Sequence, residues 1–246
     1  MGKAVEGVDG IFHLAAVASV QKSNEDWIGT HRVNQTGAIN VFDAARSGTV
    51  PVVYVSSAAV YGDNPDIPLQ EDAGCRPLTA YGADKSGCEL HAAVAARAHG
   101  VPVAGLRFFN IYGPRQDPAS PYSGVISIFA DRISRGQGIT IFGDGGQTRD
   151  FVYVADAVRY LRAAMDTPKP EPMVYNACSG KQTTINRLAA LIGKIAGREP
   201  QTVYEAARPG DIRYSAGEPS LARDRLGVTA DTSIEDGLRL TYESLV

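Results

Sequence analysis

The sequence predicts an α/β fold, a doubly wound parallel sheet followed by a smaller C-terminal lobe. Three observations predict it. Short β-rich runs alternate with helical patterns over residues 10–109. After Asn110 that rhythm loosens into a Pro/Gly-rich loop and shorter elements. No internal repeat, low-complexity tract or long linker interrupts the chain.

In order along the chain, MGKAVEGVD reads as the end of a helix, and GIFHLAA (10–16) as a buried strand leaving through small residues. THRVNQTGAINVFDAARSG (30–48) is helical, with Gly48 as its stop. VVYVSS (52–57) is a strand, followed by a loop holding Gly62, Pro65, Pro68 and Pro77. A helix from about Tyr81 to His99 leads into a strand at 103–109. Strand, helix, strand, helix, strand in this order gives a parallel sheet covered by helices on both faces. Beyond the loop at 112–124, VISIFADRISRG is a helix and ITIFG a strand. RDFVYV (149–154) and PMVYNAC (172–178) are later strands flanking the helix VADAVRYLRAAM. A helix follows Thr183/Thr184, and a last one starts near Ser233 behind a Thr232-x-x-Glu235 capping box. Residues 1–112 with 150–177 are the expected sheet domain. Residues 113–149 with 178–246 are the expected lobe, closing over the carboxyl ends of the strands, where open α/β sheets bind ligands.

Composition narrows the function. The 246 residues are 44% hydrophobic and 21% charged with a net charge of −3, which suits a globule with a sizeable core. The charge balance, without a dense Lys/Arg block, argues against a nucleic-acid binder. The three cysteines, Cys75, Cys88 and Cys178, are far apart and form no CxxC pair, so reduced thiols are expected rather than disulfides or a metal site. GIFHLAAVASV is the longest apolar stretch and is too short to span a bilayer. A cytoplasmic protein with no membrane partner is expected.

The stretch LTAYGADK sets Tyr81 and Lys85 one turn apart on one helix face. A phenol with an ordinary pKa of about 10 is a poor base at neutral pH, and a nearby ammonium favours its ionised form. The pair therefore reads as an acid–base and its tuner. The spacing is weak by itself, because a Tyr and a Lys also fall four apart by chance. Ser56-Ser57 place hydroxyls at the carboxyl end of a neighbouring strand, either to relay a substrate proton to Tyr81 or to make a strand-end turn.

HLAA, SSAAVYGD, YGADK, LRFFNIYGPRQ, FGDGGQTRDFVYV and RPGDIRYS occur in the order and spacing of the extended short-chain dehydrogenase/reductase family. From about residue 5 onward the chain resembles its NAD-dependent epimerase/dehydratase members, above all the UDP-glucose and UDP-N-acetylglucosamine 4-epimerases. The resemblance implies a Rossmann-like domain and 4-epimerisation of a UDP-hexose through a 4-keto sugar, with NAD as hydride acceptor and donor. It makes Tyr81 the base, Lys85 the residue that lowers its pKa and holds the nicotinamide ribose, and Ser57 the partner of sugar O4. Leu14, Ala15, Ala16, Asn34 and Phe108 would line the NAD site together with Tyr81 and Lys85. Asn110, Arg149 and Arg208 would hold the diphosphate, Asp211 the uridine ribose and Phe142 the uracil. Ser19, Val125 and Ser215 complete the implied substrate set, and no metal is implied. Read singly, Arg149 equally suits a salt bridge to an acid, Arg208 a solvated loop charge and Ser215 a plain loop position.

Ser57-Ala58-Ala59 stands where the family's dehydratases carry Thr-Asp-Glu, so the acids that drive water elimination are missing. Ser215 matches the wall against the sugar C2 substituent, and its small size leaves volume for an N-acetyl group. The family's opening strand, Gly-rich turn and helix, which receive the NAD pyrophosphate, have no counterpart in MGKAVEGVD. On that pattern the sheet is N-terminally truncated, and weak NAD affinity is expected. A UDP-sugar-binding remnant without turnover and a self-associating scaffold are the competing functions. The resemblance also implies a homodimer through the helices near 30–46 and 81–99.

Overall fold

The computed structural model describes residues 2–120, 122–168, 171–208 and 211–245. The main sheet is built on two apolar runs, VVYVSS (52–57) and VAGLRF (103–108), which are almost wholly buried. A short helix α1 (Gly2–Val5) precedes strand β1 (Ile11–His13). Helices α2 (Val20–Glu25), α3 (Trp27–His31) and α4 (Gly37–Ala45) lead to β2 (Val52–Ser57). Then come α5 (Ala80–His99), β3 (Val103–Phe108), β4 (Asn110–Tyr112), α6 (Val125–Ser134), β5 (Ile139–Phe142) and β6 (Thr148–Tyr153). Helix α7 (Val154–Asp166) is followed by β7 (Met173–Ala177), β8 (Gln182–Thr184), α8 (Ile185–Ala196), β9 (Thr202–Glu205), α9 (Ser220–Leu226) and α10 (Ile234–Glu243).

The order β1-β2-β3-β7 is parallel throughout, as the alternating pattern predicts. Successive β2 side chains point to opposite faces. Val52 and Tyr54 pack with Val41 and Phe42 of α4 and Ala92 of α5, whereas Val53 packs with Ala157 and Tyr160 of α7. Gly105 faces Tyr54 across the β2–β3 register, and a Cβ there would lie 2.6 Å from the tyrosine ring. Only glycine lets that buried ring lie flat on the strand.

A second layer carries the lobe. Strand β6 pairs in parallel with β4 and antiparallel with β8, and β5 pairs with β9. Ile126, Phe129 and Ile133 of α6, Leu188 and Ile192 of α8 and Leu238 of α10 close a separate core with Phe151. Val152, the next residue of β6, belongs to the main core. This strand is therefore shared between the two layers and holds the lobe at the carboxyl end of the sheet.

Several expectations shift. The helix expected over 30–48 begins at Trp27, capped by Asp26 accepting from Gly29 N at 2.9 Å. It ends at Ala45 rather than Gly48, where Val50 N folds back onto Ala45 O. A π-helical turn, Arg32–Thr36, lies in its middle. The cap of α10 is Ser233, which accepts from Asp236 N at 3.1 Å, so the expected Thr232 box falls one residue early. Residues near 222–228, assigned from the sequence to the lobe, pack on the main sheet: Ala222 and Val228 join its core. The apolar face of the short helix α9 is small and follows the nearest buried surface, which periodicity alone does not reveal.

Candidate active site

Three consecutive β2 residues meet one face of α5. Thr79 caps this helix by accepting from Gly82 N at 3.1 Å, which fixes where its first turn starts. Tyr81 and Lys85 then point at the end of β2. Both are buried. Lys85 Nζ donates to Val55 O at 2.7 Å and lies 5.7 Å from the centre of the Tyr81 ring. Ser57 and Tyr81 line the same cavity, and the serine hydroxyl is the side chain that draws the phenol pKa down. Ser57 Oγ accepts from Ala59 N at 3.2 Å, which makes the strand-end turn.

The electrostatics differ from the sequence expectation. Burial raises the Tyr81 phenol above its usual value, and the nearby Ser57 hydroxyl works in the opposite direction. Lys85 is not among the causes; its own pKa is lowered by burial. The ammonium is tied to a strand carbonyl and makes no hydrogen bond to Tyr81. His13, which sequence reasoning passed over inside HLAA, has its pKa lowered by burial and then by Lys85.

Tyr81, Ser57, Phe108, Asn110, Arg149 and Ser215 line one cavity of ≈ 270 Å³. Asn110 and Arg149 also line a second, of ≈ 510 Å³, with Val125, Phe142, Arg208 and Asp211. Arg149 Nη1 donates to Thr148 O and Ile212 O at 2.8 and 2.7 Å, and Nη2 bonds Asp211 Oδ1 at 2.5 Å. The salt bridge that Arg149 suggested on its own is therefore present, to Asp211 rather than to its neighbour Asp150. Arg208 lies over the Phe142 ring, 3.8 Å from its centre. Pro209 and Gly210 of the RPGD motif lie outside the described residues.

Other expected residues act at one remove. Asn34 sits in the π-helical turn, where an extra residue turns its side chain inward. It accepts from Val17 N at 2.7 Å and donates to Val17 O at 3.1 Å, bracing the segment after β1. Leu14 and Ala15 are exposed on that segment, with Ala16 half-buried. Ser19 caps α2, accepting from Lys22 N at 3.2 Å, while its neighbours Ala18 and Val20 line the Tyr81 cavity. Tyr214 lines it too and carried no recognisable signal in the sequence. Among the described residues no cluster of His, Cys, Asp or Glu is arranged to hold a metal, and no helix is long and apolar enough to cross a membrane.

Residues 1–178 match the sequence model of the NAD dependent epimerase/dehydratase family. The chain belongs to that family. Among its relatives is the UDP-glucose 4-epimerase of Mycolicibacterium smegmatis, 34% identical over 236 residues, covering 95% of this chain and 74% of the relative. The crystal structure of UDP-glucose 4-epimerase from Thermotoga maritima with UDP-glucose superposes with a TM-score of 0.92 at 35% identity, covering 96% of this chain and 76% of that one. UDP-N-acetylglucosamine 4-epimerase from Methanobrevibacter ruminantium in complex with UDP-N-acetylmuramic acid gives 0.94 at 35% identity, covering 99% and 78%.

The family's cofactor is NAD, and the residues beside Tyr81 fit its nicotinamide–ribose half. An ammonium has three N–H donors. Lys85 makes one side-chain hydrogen bond among the described residues, to Val55 O, which leaves donors for a ribose diol. Phe108 and Ala18 add apolar wall, as a nicotinamide ring requires.

Proposed function

We propose that this chain catalyses the NAD-dependent 4-epimerisation of a UDP-hexose through a 4-keto intermediate. The observation that carries this is the sharing of Asn110 and Arg149 between the Tyr81–Ser57 cavity and the Phe142–Arg208–Asp211 cavity. A proton-transfer pair thus lies next to a site with the chemistry of a nucleoside diphosphate. Bound NAD supplies the acceptor and donor of hydride. Tyr81 takes the O4 proton, with Ser57 bonding O4 and passing the proton across. Asn110, Arg149 and Arg208 hold the diphosphate while the 4-keto sugar turns; planar guanidinium groups suit two phosphates better than ammonium does. Turning exposes the other face of C4 to the returning hydride, and Tyr81 gives its proton back to O4. Asp211 orients Arg149 and faces the ribose, and Phe142 carries the uracil.

Ala58 and Ala59 form the cavity wall where a dehydratase needs acids, and no Asp or Glu is among the described residues lining that cavity. With Ser215 on the same wall, both UDP-GlcNAc/UDP-GalNAc and UDP-Glc/UDP-Gal fit the reading. The three thiols are free, in keeping with a cytoplasmic setting. Val33, Leu90 and Val94 are exposed on the helices expected to pair, which supports a homodimer.

The test is interconversion of UDP-GlcNAc and UDP-GalNAc by the purified chain with NAD added. Turnover is expected, and Tyr81→Phe should lower it by about 10²–10⁴-fold. A folded chain that binds UDP yet turns over no UDP-hexose would overturn the assignment in favour of a binding remnant.

A further inference from the structure

Beneath the site lies a buried polar network that the proposed mechanism does not use. Its centre is Arg107, on β3 next to Phe108 and only 5% exposed. A guanidinium has five N–H donors. Nε and Nη2 bond the two carboxylate oxygens of Glu89 at 2.9 and 2.7 Å. Nη1 donates to Tyr61 Oη at 2.8 Å and Glu71 O at 2.9 Å, and Nη2 also reaches Cys75 Sγ at 3.7 Å. The Tyr61 hydroxyl in turn donates to Asn176 Oδ1 of β7 at 2.7 Å. Every donor is satisfied, so the fork has one orientation, set from β3, β7 and the loop after β2 together.

The carboxylate it grips stands one helical turn beyond Lys85 and two beyond Tyr81, on the same face of α5. Glu89 Oε1 also accepts from Ser56 Oγ at 2.5 Å. Two residues of one helix face are therefore bonded to consecutive residues of β2, Lys85 to Val55 and Glu89 to Ser56, and Tyr81 on the same face shares a cavity with the next one, Ser57. Desolvation offsets much of the attraction in a buried ion pair, so Arg107–Glu89 is a poor source of net stability and a good source of fixed geometry.

We propose that Glu89, held by Arg107, is a positioning residue that sets the register of α5 against β2 through Ser56 and thereby aligns the Tyr81 hydroxyl with Ser57. This rests on the acid–base reading of Tyr81 and adds the device that aims it. Without the Glu89–Ser56 link, helix and strand are free to slip by a fraction of an ångström. The approach of the Tyr81 hydroxyl to Ser57, across the cavity both residues line, is what such a slip would disturb.

Two variants test this. Glu89→Gln puts an amide NH₂ or a weaker neutral acceptor against the guanidinium; Ser56→Ala leaves the ion pair intact and cuts only its link to the strand. For each, the readouts are UDP affinity by calorimetry, kcat per UDP-binding site with NAD added, and Tyr81 titration by NMR of ¹³Cζ-labelled tyrosine. The Tyr81 resonance is assigned by its loss in Tyr81→Phe. Misplacement of a reacting group by about 1 Å costs about 100-fold. We expect kcat per site to fall about 10- to 100-fold in Glu89→Gln and by a smaller factor in Ser56→Ala, with UDP affinity held within about twofold. Tyr81 should titrate at higher pH in both. Unchanged kcat per site and unchanged Tyr81 titration in Ser56→Ala would overturn the proposal, as would a loss of rate matched by loss of UDP sites. If the wild-type chain turns over no UDP-hexose, the functional assignment falls, while the Tyr81 titration in Ser56→Ala still decides the positioning role.

Discussion

Tyr81 works against its surroundings: burial favours the neutral phenol, and among the side chains around it the Ser57 hydroxyl draws the pKa down. A proton acceptor in this place depends on short, aligned contacts more than on a diffuse field, because hydrogen bonding to the charged form is what favours ionisation. On the proposed function, Ser215 governs a different matter, the volume beside the sugar. It is half-buried in the Tyr81 cavity, which the exposed Tyr214 also lines. A tyrosine there would occupy the space of an N-acetyl group. Ser215→Tyr should weaken UDP-GlcNAc at least tenfold more than UDP-Glc, read as separate kcat/KM values. Equal losses for the two sugars would sink the idea that this position sets selectivity.

Elements hold these residues in place through a few close approaches. Helix α5 is pinned at its start by Thr79 and at its end by Gly100 in the left-handed region, so its site-bearing face cannot rotate freely. Strand β3 lies against β2 closely enough that Gly105 and Tyr54 share one space. Gly105→Ala drives a methyl into a ring that is buried against Phe42. The expected cost is about 1–3 kcal/mol, measured as a shift in the urea midpoint at unchanged m value. An unchanged midpoint would mean that the ring has room to retreat.

For the whole molecule, protons bound more tightly by the folded state set the alkaline limit. Burial pushes the Tyr61 phenol up to about 12 and the Cys88 thiol up to about 11, and raises Tyr54 and Tyr81 as well. Raised folded-state values contribute stability that is fully present below the unfolded pKa, about 8.5 for a thiol and about 10 for a phenol. That contribution is lost as pH rises through the folded values. The melting temperature should hold to about pH 8.5 and fall progressively toward pH 12, traced by circular dichroism; a flat profile across that window would contradict the burial of these groups. Association belongs to the same scale. Leu90 and Val94, 71% and 54% exposed one turn apart on α5, are the side chains a second copy would cover. Replacing both by Glu should convert a dimer to a monomer in light scattering; a native monomer would remove the homodimer from the proposal.

Sequence by itself determined the alternating elements of the parallel sheet, because buried strands and amphipathic helices leave local signatures: β2 runs over the expected residues and α5 differs by one at its start. It also supplied Tyr81, Ser57 and Arg149 as residues of interest, since their motifs are short and contiguous. Tertiary structure decided what no local window contains. It turned Asn34 inward through a π-helical turn and moved residues near 222–228 onto the main sheet. It gave the Lys85 ammonium a strand carbonyl, Val55 O, as a partner. It also joined Glu89 to Ser56 and Arg107. The Tyr81-x-x-x-Lys85-x-x-x-Glu89 spacing was present in the sequence, but which partner each side chain meets depends on where β2 and β3 lie under the helix. Burial and pairing are properties of residues far apart in the chain, so the electrostatics of the site had to wait for the fold.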